Sequence, residues 1–147
     1  MINYKIRVRN LIRKHNTRCP YRLAKELGIH IYECNLSDDM PKGLFKKMLG
    51  KKFIVLNVTR IKNEFEKQFV LAHELGHAVL HSNDTTFFLH DHTFCNRGKF
   101  EIQANKFAAE LLINETYIDE SCLKTLSVEQ LAAYFCVPKE LIIYKFF

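Results

Sequence analysis

The strongest constraint in this sequence is the stretch QFVLAHELGHAVLH, residues 68–81, in which apolar residues repeat with helical spacing. This pattern predicts a long, largely buried helix from near Asn63 to about His81. His73 and His77 are four positions apart, so both imidazoles project from one face, about 6 Å apart along the helix axis. Because burying an unpaired imidazole is costly, the HExxH pattern predicts that the two histidines share a metal ion.

Glu74 lies one position round the helix from His73. A carboxylate there can take the proton of a zinc-bound water, whose pKa falls to about 7. The pattern therefore predicts that His73 and His77 bind zinc and that Glu74 is a general base. The alternative, two core histidines hydrogen-bonded to backbone, is less favoured in so apolar a setting.

A catalytic zinc needs a third protein ligand, and this helix does not supply one. His81 lies about 12 Å along the axis from His73, so it is predicted to be a rim or helix-end residue. The extended pattern HExxHxxGxxH also fails, because Leu80 and Asn83 stand where its glycine and third histidine are required. The third ligand must therefore come from later in the chain.

Four later residues are candidates for the third ligand: His90, Asp91, His92 and Glu101. Spacing favours Glu101 slightly over His92, because the helix that Glu101 is predicted to open, EIQANKFAAELL, can return after a loop. Asn105 shares a helix face with Glu101 and is predicted to support Glu101 or a histidine from outside the ligand set. Small Ala104 and Ala108 are expected to let the two helices approach closely.

The remaining chain predicts a small sheet packed by helices. Helices are predicted from about Asn3 to His15 and from Pro20 to just before Gly28. GIHIYEC predicts a strand, and MPKGLFKKMLGKKFIVLNVT predicts a hairpin that turns at Gly50.

After the HExxH helix, residues 82–98 show no helical period, and a helix resumes with KFEIQANKFAAELLIN. Its predicted buried residues are Ile102, Ala104, Phe107, Ala108 and Leu111. Two short helices, SVEQLAAYF and PKELIIYKF, are predicted to close the chain. Helices that flank a small sheet make the predicted fold class α+β.

Composition narrows the class of protein without naming an activity. The 147 residues carry a formal net charge of +6, which allows either nucleic acid or an acidic protein as a partner. The five cysteines form no CxxC pair, so reduced thiols in a cytoplasmic protein are expected. No apolar run approaches the roughly 20 residues of a membrane helix, and the N-terminus lacks the features of a secretory signal.

Two paired motifs, FVLAHELGHAVLH and EIQANKFAAELL, resemble the ImmA/IrrE-type zinc metallopeptidases, a family of small bacterial and phage proteins. CPYRLAKELGIHIYE and MPKGLFKKMLGKKFIVLN are similar to the helix, strand and hairpin that precede the zinc helix in that family. The resemblance extends to about Asn114. One departure is LLIN, at residues 111–114, where the family often has LLMP.

The resemblance implies one zinc per chain, held by His73, His77 and Glu101, with Glu74 as general base. The length and the absence of repeats and linkers predict a single domain over residues 1–147. The resemblance makes the chain to about 114 the peptidase core, and the pattern of the tail predicts a small helical C-terminal subdomain from about 115. The resemblance also implies site-specific cleavage of one protein partner, most often a helix-turn-helix repressor of a phage, a mobile element or a stress response. His90 and His92 are candidates for oxyanion or loop contacts.

Two other functions stay open at this point. LSVEQLAAYFCVPKELIIYKF resembles a helix-turn-helix segment, so a DNA-binding regulator is one alternative. Nucleic acid is the less favoured partner, because the second helix offers only Lys139 and Lys145 as basic groups. Its apolar residues are predicted to pack: Leu141, Ile142, Ile143 and Phe146. The other alternative is a metal-bound sensor without proteolytic activity, although Glu74 argues against it.

Overall fold

The computed structural model describes residues 2–82 and 94–147, with side chains described from residue 98 onward in the second range. It has the predicted α+β class, with a three-stranded sheet packed by helices. The described elements, in chain order, are α1 (Tyr4–His15), α2 (Pro20–Glu26), β1 (His30–Cys34), β2 (Gly43–Met48), β3 (Lys51–Asn57), α3 (Glu64–Leu80), α4 (Phe94–Leu112), a short 3-10 helix (Glu115–Tyr117), α5 (Glu120–Thr125), α6 (Val128–Phe135) and α7 (Lys139–Phe146).

Local capping chemistry sets several of these boundaries. The side chains of Asn3 and Asn63 each accept a backbone N–H three residues further on, at 3.1 and 2.9 Å, and so begin α1 and α3. Pro20 begins α2, and Gly28 follows its end with φ of 75°, a left-handed backbone that favours glycine. The predicted ends of these three helices are confirmed.

The sheet has β3 at its centre, in the order β1-β3-β2. β1 runs parallel to β3, whereas β2 runs antiparallel to it, with Gly43 opposite Leu56. The predicted hairpin turn is confirmed at Gly50, with φ of 77°, and Leu49 shares the turn with φ of 52°. α3 packs against β2 and β3, which places the HExxH motif directly beside the sheet.

Helix α4 packs closely along α3. A Cβ added at Gly76 would lie only 3.1 Å from the Cα and the carbonyl oxygen of Ala104. Ala104 and Ala108 are fully buried, which confirms the predicted close approach of the two helices. This contact brings the residues of α4 up to the two histidines of the motif.

Two sequence predictions about α4 are wrong. The helix begins at Phe94 rather than near Lys99, so Glu101 lies in its second turn instead of opening it. Asn96 and Gly98 are weak helix formers, but a helix already fixed by packing extends through them at little cost. Ile102 is 44% exposed because it lies about 200° round the helix from buried Ala104.

The C-terminal helices contribute to the same hydrophobic core. Ser127 and Gln130 form a capping box at the start of α6. Leu131 of α6 and two residues of α7, Leu141 and Ile142, are fully buried in the cluster that contains the apolar face of α3. The predicted packing of Ile143 is wrong, since 46% of it is exposed on the opposite side of α7.

Among the residues that the structure describes, none of the helices combines the length and the hydropathy needed for a transmembrane span.

Candidate metal centre

The site is built where α4 crosses the histidine face of α3. The Nε2 atoms of His73 and His77 lie 2.9 and 3.0 Å from the two carboxylate oxygens of Glu101. The side chain of His77 is 4% exposed and that of His73 is 12% exposed, whereas 48% of the Glu101 side chain is exposed. The three residues thus converge on one point that is closed on the α3 side and open on the Glu101 side.

This donor set fits a zinc ion. In a tetrahedral site with bonds of about 2.0–2.1 Å, neighbouring ligand atoms lie about 3.3 Å apart. The contacts of Glu101 with the two Nε2 atoms are within a few tenths of an ångström of that separation. Candidate ligand atoms of His73, Glu74 and His77 also lie within 4.8 Å of one another. Two imidazoles and one carboxylate are the protein ligands of a catalytic zinc site that leaves the fourth position open.

Asn105 contacts the outer nitrogen of His73. Its Oδ1 atom lies 2.7 Å from His73 Nδ1, so it can accept a hydrogen bond from the Nδ1–H group and fix the orientation of the ring, whose Nε2 faces Glu101. Asn105 is one turn after Glu101 on α4, as the shared helix face indicates. The same helix therefore places one side chain on each side of the His73 ring.

His77 is supported differently, by a chain of two further residues. His77 Nδ1 lies 2.9 Å from His81 Nδ1, and His81 Nε2 lies 2.7 Å from Gln103 Oε1. The prediction that His81 ends the helix is confirmed, because it is the C-cap of α3. Of the two predicted positions, rim or helix end, it takes the second, and it is only 2% exposed. The packing of α4 on α3 covers His81.

Gln103 was not singled out by sequence reasoning. The only sequence feature that could have indicated it is its position between two predicted site residues, two after Glu101 and two before Asn105. Residues two apart point to different sides of a helix, so only the packing of α4 on α3 shows that Gln103 reaches His81.

Glu74 lies on the sheet side of the two histidines and is 8% exposed. A Cβ added at Gly43, the first residue of β2, would lie 3.0 Å from Glu74 Cγ and 2.5 Å from Val70 Cγ1. Burial raises the pKa of the Glu74 carboxyl above its ordinary value, although the two nearby histidines oppose the shift. Glu74 is therefore a buried carboxyl group beside the donors, confined by the start of β2.

The pKa of Glu101 shifts in the opposite direction. Burial alone would raise it, but hydrogen bonds from His73 and His77 outweigh burial and hold the pKa of Glu101 well below its usual range. Burial alone would lower the pKa of His73, yet the hydrogen bond to Glu101 and the charge of Glu74 raise it. Glu101 thus presents an ionised carboxylate to the two imidazoles.

The other candidates for the third ligand, His90, Asp91 and His92, lie outside the described residues. The structure brings together the remaining predicted site residues, which are His73, Glu74, His77, Glu101 and Asn105.

Comparisons with known proteins place this protein in a family. Residues 24–147 match the model of a peptidase family described as the IrrE N-terminal-like domain. The match continues past Asn114, where the sequence resemblance ended, and includes the C-terminal helices.

Two relatives cover most of the chain. An uncharacterized immunity region protein 2 of Bacillus phage phi105 is 35% identical over 137 residues, which are 93% of this chain and 85% of that protein. Metallopeptidase ImmA of Bacillus subtilis (strain 168) is 32% identical over 143 residues, which are 96% of this chain and 82% of that protein. The chain therefore belongs to the ImmA/IrrE family of metallopeptidases.

Proposed function

We propose that this protein is a zinc-dependent endopeptidase that cleaves one protein partner, a helix-turn-helix transcriptional repressor, at a specific site. The observation that carries the proposal is the carboxylate of Glu101 within 3.0 Å of both Nε2 atoms, with buried Glu74 beside them. His73, His77 and Glu101 hold one zinc ion per chain, and Asn105 fixes the His73 ring.

Glu74 acts as the general base. Zinc, when bound, supplies a Lewis acid that polarises the scissile carbonyl and makes water at the site more acidic. Glu74 takes a proton from the attacking water and passes it to the departing amine nitrogen. Its raised pKa supports this role, because a buried carboxyl group holds the proton between the two transfers more readily than an exposed one.

The proposed substrate rests on the relatives. One relative carries a name that places it in a phage immunity region, and another is named as a metallopeptidase. A metallopeptidase with an immunity role is best explained by cleavage of the repressor that maintains immunity, and such a reaction takes place in the cytoplasm. We further propose that residues from about 115 onward form a helical subdomain that supports the peptidase or recognises the substrate.

Contacts of α7 weigh against the DNA-binding alternative. Lys145, one of only two basic residues in that helix, forms an ion pair with Glu110, and its side chain is 5% exposed. Leu141 and Ile142 are buried in the core. A helix held in this way offers only Lys139 as a basic group to a nucleic acid.

The decisive experiment co-expresses the chain with each repressor encoded near its gene and follows the repressor by immunoblot. The wild type should produce one discrete fragment. Glu74→Gln should reduce the cleavage rate at least about a hundredfold, because general acid–base catalysis contributes about 10²–10⁴-fold. Glu64→Gln on the same helix is the matched control, since the Glu64 side chain is 66% exposed and distant from the motif, and it should cleave like the wild type. Equal fragment yields from wild type and Glu74→Gln would refute a peptidase.

A further inference from the structure

The nitrogen of His77 that faces away from Glu101 leads into a buried chain of side chains. We propose that His81 and Gln103 are positioning residues, which hold the His77 imidazole in the tautomer and orientation that metal binding requires. The inference rests on the proposed metal site of His73, His77 and Glu101, and it assigns two residues outside that site.

Counting the protons from His77 through His81 to Gln103 gives one consistent set of hydrogen bonds. A metal ion at Nε2 of His77 requires the ring proton to be on Nδ1. That N–H then donates to His81 Nδ1, 2.9 Å away, so His81 must carry its own proton on Nε2. The Nε2–H of His81 donates in turn to Gln103 Oε1 at 2.7 Å. In this arrangement both N–H groups face an acceptor, and the last acceptor is an amide oxygen that does not titrate.

The His81 ring is held firmly enough to direct its neighbour. It is 2% exposed, and its centroid lies 4.5 Å from that of the Phe100 ring. Its backbone N–H donates to the carbonyl of His77 at 2.9 Å, which fixes the end of α3. Gln103 comes from α4, two residues after Glu101. The helix that supplies a metal ligand therefore also fixes the ring orientation of another ligand.

His81 does not act as a ligand in this arrangement. Its Nδ1 faces His77 and its Nε2 faces Gln103, so neither ring nitrogen points toward the Glu101 carboxylate. The two ligand histidines are thus oriented by different means: an amide contacts His73 directly, whereas an imidazole backed by an amide contacts His77.

The test is a double-mutant cycle on zinc affinity, measured by competition with a chromophoric chelator. His81→Phe preserves an aromatic ring beside Phe100 but removes the acceptor, and it should weaken zinc binding about 10- to 100-fold, as other losses of a ligand's outer partner do. Gln103→Leu should weaken binding about tenfold. Because Gln103 acts only through His81, adding Gln103→Leu to His81→Phe should cost nothing further.

Two matched variants separate positioning from packing. Gln103→Glu retains an acceptor oxygen and should bind zinc like the wild type. Asn105→Leu acts through the other histidine, so its effect should multiply with that of His81→Phe. Thermal unfolding of the metal-free proteins reports any loss of packing, and the 15N spectrum of zinc-loaded protein reports whether Nδ1 of His77 carries the proton.

Several outcomes would overturn the inference. The inference is wrong if His81→Phe binds zinc with wild-type affinity. It is also wrong if Gln103→Leu lowers zinc affinity as much in the His81→Phe protein as in the wild type. Either result would show that the two residues only pack in the core. If His81→Phe does not fold, Gln103→Leu and Gln103→Glu decide, and equal affinities would refute the chain of hydrogen bonds. Failure of the wild type to bind zinc would refute the metal site itself and this inference with it, whereas intact zinc binding without proteolysis would refute only the proposed activity.

Discussion

Two glutamates face the same pair of histidines, yet their environments differ in every respect that matters for chemistry. Glu74 comes from α3 and is buried against the start of β2, and burial raises its pKa. Glu101 comes from α4 and is half exposed, and the hydrogen bonds from both histidines overcome burial and lower its pKa. The contacts of each carboxyl group, rather than its residue type, support the proposed assignment of Glu101 as the metal ligand and Glu74 as the base.

Each glutamate also depends on a separate glycine. Gly76 lets α4 approach α3, and so places Glu101. Gly43 leaves room beside Glu74 Cγ and Val70. The two sides of the site can therefore be disturbed independently, which allows the comparison to be tested.

The largest expected effect is on zinc binding. Glu101→Ala removes a ligand and should weaken zinc affinity by more than about a hundredfold, because outer partners alone contribute about 10- to 100-fold. Glu74→Gln should bind zinc like the wild type. Ile102→Ala, next to Glu101 but 44% exposed, is the control and should leave affinity unchanged. Zinc affinity is measured by competition with a chelator. Equal losses of affinity in Glu101→Ala and Glu74→Gln would show that the two glutamates do not have separate roles.

Gly76→Ala should come next in size. Its Cβ would meet the backbone of Ala104 at 3.1 Å, so α4 must shift, at a cost of about 1–3 kcal/mol in the free energy of unfolding. Zinc affinity should fall about tenfold, equivalent to about 1.4 kcal/mol. Gly98→Ala, on α4 with no atom of the described residues within 4 Å of the added carbon, is the matched control and should lower neither the stability nor the zinc affinity.

Gly43→Ala should affect the other side of the site. The added carbon would lie 2.5 Å from Val70 Cγ1 and 3.0 Å from Glu74 Cγ, so the Glu74 side chain must move. Peptide cleavage should fall about tenfold while zinc affinity is retained, whereas Gly76→Ala should lower the zinc affinity itself. Loss of zinc together with activity would show that β2 positions the ligands and not only the base.

The smallest effect is on the stability of the metal-free protein, and its sign differs between the two glutamates. The pKa of Glu74 is raised in the folded state. Its contribution to stability is therefore fully present below the pKa of the unfolded state and is lost as the pH rises through the folded-state pKa. Glu74→Gln should therefore be more stable than the wild type at neutral pH. The lowered pKa of Glu101 gives stability above the unfolded value that is lost in acid, so Glu101→Gln should be less stable at neutral pH. Thermal unfolding in chelator at pH 7 checks both signs, and a shared sign would contradict the contrast. At pH 4 only the Glu74→Gln difference should shrink, because the pKa of Glu101 is held well below its usual range.

Local signals in the sequence were sufficient for most of the fold. Asn63, Pro20 and Gly50 act on their immediate neighbours, so their capping and turn roles could be predicted from the printed residues. The start of α4 was misjudged, because Asn96 and Gly98 are weak helix formers whose state depends on packing elsewhere.

The α3 part of the site was predictable from helical spacing, whereas Glu101 and Asn105 were predicted from the next helix and from the family resemblance. His73, Glu74 and His77 lie within one helix, so the period of α3 indicated their common placement. Contacts between Gly43 and Glu74, and between His81 and Gln103, join segments about 20 to 30 residues apart, and no local pattern encodes them. These contacts became visible only with the packing of β2 and α4 on α3.

The most direct test of the division between the two glutamates is a crystal structure of the zinc-loaded protein. We expect one zinc ion about 2.0–2.2 Å from Nε2 of His73, Nε2 of His77 and a carboxylate oxygen of Glu101, with Glu74 outside bonding distance. A zinc ion bound by Glu74, or by a histidine from residues 83–93 in place of Glu101, would contradict it.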